Sequence, residues 1–258
     1  MDWLLGQWHD FLRVALRTTC LLIFCPVWDS RFIPVQVRVF SLLAVSLALT
    51  PMVAPSLPAM PNSWPALAGL VLQEFLLGLS LGLLVRFFLT GAQMAGNLLS
   101  VQMGFGMVTL IDPQSGGQSA VIGDLFLFLA ILVFLAIDGH HFLLRLLVLS
   151  FQEVPAGSPL AWPVNFFLSL PKFGSLMYQM TVMLAAPVLA ALFLAQIALG
   201  LVARAVPQIQ IMIVSFPLTI GLGLLFLSFT LTVLGPALID HFTALKAPLH
   251  QALQAWKG

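Results

Sequence analysis

From Phe173 to Ala203, and again from Ala205 to Ile239, no side chain carries a charge. Each run is longer than the ~20 apolar residues that cross a bilayer as a helix. Such a stretch has no polar face to leave in water, and in lipid its backbone must satisfy its own hydrogen bonds. Helix is therefore the element expected, because membrane barrels are built from short alternating strands. Further charge-poor runs lie at about 18–28, 39–54, 66–90, 92–111 and 121–150. The chain is 60% hydrophobic and 7% charged, against roughly a quarter charged in an average soluble domain. The reading is an all-α, polytopic integral membrane protein forming one membrane domain over residues 1–258.

Several function classes drop out at once. Net charge is +1 with no lysine or arginine cluster, so nucleic acid is not an expected partner. Cys20 and Cys25 sit in apolar settings and form neither a disulfide framework nor a thiolate metal site. His9, His140, His141, His241 and His250 show no metal-ligand spacing, and no H-E-x-x-H, Walker A or dinucleotide fingerprint occurs. Asp2 and Asp10, with Arg13 and Arg17 inside the first apolar run, do not fit a cleavable leader. Gly78-Leu79-Ser80-Leu81-Gly82 matches the G-x-S-x-G hydrolase pattern, which needs a strand-to-helix elbow and a His–acid pair. Here it lies in a leucine-rich helical run, where Gly78, Ser80 and Gly82 make a small-xxx-small packing stripe. Packing is the better reading. The expectation is a non-enzyme with no cofactor, no metal and no catalytic residue.

Three connectors interrupt the apolar runs. Pro51, Pro55, Pro58, Pro61 and Pro65 suggest a stiff extended linker. Pro155, Pro159, Pro163 and Pro171, with Gly157 and Ser158, suggest a second non-helical link. Pro187 falls within the first uncharged run, and Pro207, Pro217 and Pro236 within the second. Interior prolines remove helix hydrogen bonds, so two bent or broken helices are expected there, with simple proline-kinked spans as the alternative. Six alternating spans would put Arg31, Arg38, Arg86 and Arg204 opposite Arg145, Lys172, Lys246 and Lys257, a tie that leaves orientation open.

The third connector is glycine-rich: Gln102-Met103-Gly104-Phe105-Gly106-Met107, running on to Asp112-Pro113 and Gly116-Gly117. Irregular backbone at membrane depth is tolerated only where protein covers it or where it lines an aqueous path. Methionines seal against varied shapes, so this segment reads as a loop that closes something. Asp138, His141 and Arg145, spaced i, i+3, i+7, would share one helix face. Charge in lipid is unfavourable, so that face should meet protein or water. A proton relay is one reading; an ion-paired helix end docking on a neighbour is the favoured one. Glu74, Arg86, Asp124 and Arg204 are likewise expected to make inter-helix or inter-subunit contacts.

Three blocks carry a resemblance: Gln102-Met103-Gly104-Phe105, Ile111-Asp112-Pro113, and Phe134-Leu135-Ala136-Ile137-Asp138-Gly139-His140. A further stretch agrees, Leu199-Gly200-Leu201-Val202-Ala203-Arg204-Ala205-Val206-Pro207-Gln208-Ile209 followed by Phe216-Pro217-Leu218-Thr219. Together they resemble the FliR/SctT family of type III secretion export-gate subunits, over nearly the whole chain. Asp112-Pro113 tilts the resemblance to the flagellar branch rather than to an injectisome homologue. The resemblance implies a structural and gating subunit of the flagellar export gate in the bacterial inner membrane, at the flagellar basal body. It implies FliP, FliQ and FlhB as partners and unfolded flagellar proteins as cargo. It also implies that a loop, by position Gln102–Ser119, blocks the closed pore, making Gln102, Met103, Gly104, Phe105, Gly106, Met107, Asp112 and Pro113 the plug. The competing reading from the residues alone is a secondary transporter, its site framed by helices broken at Pro187 and Pro217.

Overall fold

The structure, a computed structural model, describes residues 2–25, 28, 33–58, 60, 61, 63–105, 121–156, 164–205 and 211–254. Among these residues the regular structure is helical: α1 (Asp2–Phe24), α2 (Val35–Val53), a 3₁₀ turn (Ala54–Ser56), α3 (Trp64–Met103), α4 (Val121–Ala136), α5 (Gly139–Glu153), α6 (Val164–Ala205) and α7 (Ile211–Gln254). An all-α membrane protein is what the long uncharged runs require. Four helices are long and apolar enough to cross a membrane, or up to five if the broken pair α4–α5 counts as one span. Among the described residues these candidates number four or five rather than six, and α1 is not one of them.

The prolines fall differently from expectation. Pro51 lies inside α2, Pro55 in the 3₁₀ turn and Pro65 at the second residue of α3, so the extended linker shrinks to the stretch around Pro58 and Pro61. A proline in the first helical turn removes an N–H that has no helix partner anyway. Pro171 belongs to α6 rather than to a non-helical link, and Pro187 lies farther along the same 42-residue helix. Pro217 and Pro236 lie within the 44 residues of α7. Each proline deletes one hydrogen bond, and the flanking turns keep the helix going. The broken helices that would frame a transporter site are thus absent at Pro187 and Pro217; Pro207 lies outside the described residues. The runs at 66–90 and 92–111 also merge, since α3 continues through Gly91 to Met103 as one 40-residue helix. Conversely, the run at 121–150 is split. Asp138, with φ 58° and ψ 31°, is left-handed and separates α4 from α5.

Two compact units result, each assembled from segments distant in sequence. One comprises Met1–Phe87, Asp138–Phe173 and Ala244–Gly258; the other comprises Phe88–Ile137 and Gly174–Thr243. In the first unit Leu21, Leu77, Leu81, Leu84, Leu147 and Phe151 are fully buried or nearly so. Its α1–α3 contact is close because Gly78 and Gly82 face α1. A Cβ on Gly78 would lie 2.5 Å from Cys20 Cβ and 2.7 Å from the Arg17 carbonyl, and one on Gly82 would lie 2.7 Å from Phe24 Cβ. In the second unit Phe242 stands edge-on to Phe88 and Phe134, with centroids 5.5 and 5.2 Å away. There α3 meets α4 at Gly96, where a Cβ would come within 2.5 Å of the Ile122 carbonyl. On the same helix the Thr181 hydroxyl of α6 donates to the Gly91 carbonyl at 2.9 Å.

Candidate functional site

The glycine-rich segment begins with a formed structure. Gln102 and Met103 are the last residues of α3, and irregular backbone starts at Gly104. Gly104 adopts φ 95°, a backbone region that residues with a Cβ avoid. Its N–H donates to the Val101 carbonyl at 3.1 Å and the Phe105 N–H to the Ser100 carbonyl at 3.0 Å. This pair of bonds is a Schellman stop, in which a left-handed glycine turns the chain out of the helix while satisfying its terminal carbonyls. The stop is clamped from α7. Phe216 lies on Gly104, so that a Cβ there would be 3.0 Å from its ring. The Thr219 hydroxyl donates to the Met103 carbonyl at 3.3 Å while also reaching the Ser215 carbonyl at 2.9 Å. The Met103 side chain is fully buried over Gly223, where a Cβ would lie 2.5 Å from its Cγ. Gln102 is exposed and pairs with Gln196 of α6 at 3.4 Å. Gly106, Met107, Asp112 and Pro113 lie outside the described residues.

A second polar constellation sits inside the first unit and joins residues far apart in the sequence. Arg17 and Glu74 are both fully buried. Arg17 Nε donates to Glu74 Oε2 at 2.7 Å and its Nη2 to Oε1 at 2.9 Å, a two-pronged charge-assisted pair. The same guanidinium donates to Ser150 Oγ at 3.0 Å and to the Val154 carbonyl at 2.9 Å. It also lies 3.9 Å over the Phe151 ring. Of five guanidinium N–H groups, four thus have protein acceptors. Arg13 makes a parallel set, pairing with Asp10 and donating to the Pro58 carbonyl at 2.7 Å. One arginine therefore ties α1 to α3 and to the end of α5. The available signal was a charge within an apolar run, which demands a partner.

The remaining polar candidates are placed as follows. Gln93 donates to Asp124 at 3.4 Å, linking α3 to α4 at an exposed position. Asp138 and His141 approach to 3.1 Å across the start of α5. They do not share the face of one continuous helix, because Asp138 precedes α5 in left-handed backbone. Arg86, Arg145 and Arg204 are exposed, Arg204 in the last turn of α6. Ser80 is buried within α3 and donates to the Leu77 carbonyl at 2.7 Å. It sits in mid-helix, with no strand-to-helix elbow.

Comparison with known proteins agrees over the length of the chain. The family model described as "Bacterial export proteins, family 1" matches residues 8–245. The flagellar biosynthetic protein FliR of Escherichia coli K12 is 34% identical over 239 residues, covering 89% of this chain and 88% of its own. FliR of Bacillus subtilis 168 is 31% identical, covering 91% and 90%. FliR of Aquifex aeolicus is 26% identical over 97% of both chains.

Proposed function

The chain belongs to the bacterial export proteins, family 1, and is a membrane-embedded component of the flagellar export apparatus; on that premise we propose that it closes the export pore with the segment leaving the end of α3. The supporting observation is the anchored stop at Gly104. Four interactions fix the point of departure: the two cap bonds, the Thr219 bond and the burial of Met103 over Gly223. A closing loop needs a rigid base, because a plug that swings with its helix does not return to one place. Gly106 and Met107 follow the stop directly, with Asp112 and Pro113 farther along.

In this reading the chain is a non-enzymatic wall and gate subunit at the flagellar basal body in the inner membrane. It packs with FliP and FliQ, associates with FlhB, and lets unfolded flagellar proteins pass. Large apolar side chains exposed on α6 and α7, among them Phe193, Leu194, Leu201, Phe229 and Val233, support burial against further helices or lipid. The long helices support it too: α3, α6 and α7 exceed by about twofold the ~20 residues that a bilayer needs. The test is deletion of Gly104–Met107. Once the variant is incorporated into the complex, conductance to ions or small solutes should rise. Unchanged conductance of a correctly assembled complex would end the plug reading.

A further inference from the structure

We propose that Asp138, His140 and His141 bind a divalent transition-metal ion of the zinc type at the start of α5. Each residue offers one ligand atom, and these atoms lie within 4.8 Å of one another. Asp138 Oδ1 is 3.1 Å from His141 Nδ1, and the two imidazole centroids are 4.2 Å apart. By spacing alone the five histidines make no metal set. His140 and His141 are neighbours in the chain, and the Asp138 carboxylate lies beside them.

Two observations separate this cluster from an ordinary helix start. An aspartate preceding a helix usually has extended backbone and caps an N–H of the first turn with its carboxylate. Asp138 does neither: its φ is 58°, and its side chain makes no cap bond. The carboxylate is turned instead to His141. The second observation is His140, whose Nδ1 is buried with no hydrogen-bond partner among the described residues. A neutral imidazole needs one nitrogen protonated and one lone pair, and no bond to Nδ1 dictates which is which. A ring nitrogen is therefore available to a metal.

The donor set indicates the ion. Two imidazoles and one carboxylate suit zinc, cobalt, nickel or copper, whereas magnesium and calcium prefer all-oxygen sets. Bonds of ~2.0–2.2 Å bring tetrahedral ligands to about 3.4 Å apart, so the cluster must contract, and side-chain rotations within one four-residue stretch can do it. Three protein ligands leave a position for water, and Asp138 and His141 are exposed, so the site opens to solution. The trio lies apart from the α3 stop in sequence and does not depend on the plug reading.

The test uses the full chain in mild detergent, free of any histidine tag and stripped with a chelator. Co²⁺ serves as the spectroscopic probe, followed by displacement with Zn²⁺. One Co²⁺ per chain with visible ligand-field bands, lost in the His140→Ala/His141→Ala variant, is the expected result. Asp138→Asn keeps a residue that tolerates left-handed backbone and should weaken binding by ~tenfold or more. His9→Ala/His250→Ala should bind as the parent does. An unchanged cobalt spectrum and stoichiometry in the His140→Ala/His141→Ala variant would overturn the proposal. So would failure of the folded parent chain to bind cobalt.

Discussion

The two compact units solve the same problem by different means. The unit built on α1, α2, α5 and the first half of α3 buries charge: Arg13, Arg17, Gln73 and Glu74 are among its buried polar residues, and Arg17 reaches acceptors on two other elements. Among the described residues of the other unit, the buried polar groups are the hydroxyls Ser100, Thr181, Thr219 and Thr230. Three of these, the threonines, donate to carbonyls. Its helices meet through Gly96 and Gly123 and through the Phe88–Phe134–Phe242 aromatic group. The contrast is between directional and shape-based packing. An ion pair specifies which atoms meet but leaves a stranded charge if one partner goes. A glycine contact needs no partner chemistry, yet fails when anything bulkier is inserted.

The contrast breaks most visibly at Arg17. Arg17→Met leaves Glu74 buried and unpaired, and about 3–5 kcal/mol of stability should disappear. Thermal unfolding in mild detergent reads this as a large downward shift. Arg17→Met/Glu74→Leu should recover most of the loss, since no charge then remains inside. If the double variant is as unstable as the single one, packing around Arg17 rather than the pair carries the effect. In the other unit the matching substitution is Gly96→Leu, which forces α3 from α4 where 2.5 Å separates a Cβ from the Ile122 carbonyl. Overpacking of this kind costs about 1–3 kcal/mol. Hydrogen exchange should quicken in α4 and stay unchanged in α1; equal quickening in both would show that the units do not respond separately.

Gly104 tests backbone rather than packing. Left-handed backbone is unfavourable by roughly 1–2 kcal/mol for a residue with a Cβ, and less for asparagine. The thermal midpoints should therefore rank Gly above Gly104→Asn above Gly104→Ala, with Phe216 adding to the alanine deficit. Equal midpoints would mean that the stop is not formed in solution. The smallest effects belong to hydroxyls. Thr219→Val and Ser80→Ala each remove a bond to a carbonyl, worth on average ~0.6 kcal/mol inside a membrane protein. Loss of export by Ser80→Ala in a chain that still assembles would contradict the packing role of that stripe.

How much of this could be read beforehand differs by residue. Gly78 and Gly82 form a small-residue stripe in the sequence, because one turn of helix aligns them, but nothing local named α1 as the partner. The Arg17–Glu74 pair was not, since 57 positions separate its members and no local pattern indicates which of several isolated charges will meet. Proline misled in the opposite direction. Pro187 and Pro217 marked breaks that long helices absorb, whereas Asp138-Gly139 marked a real one with a dipeptide commonly found in turns. The point where α3 gives way to irregular backbone was legible in composition, at Gly104. Its anchoring was not, because Phe216, Thr219 and Gly223 lie more than a hundred residues downstream of Gly104.

The stop at the end of α3 also bears on adhesion. A helix normally ends with four carbonyls seeking donors, and an unfolded polypeptide is a string of N–H groups seeking acceptors. Here the carbonyls of Ser100, Val101 and Met103 already hold Phe105, Gly104 and Thr219. Three of the four terminal carbonyls are thus already occupied. On the proposed reading of the chain as a pore subunit, such an end gives unfolded cargo little to adhere to.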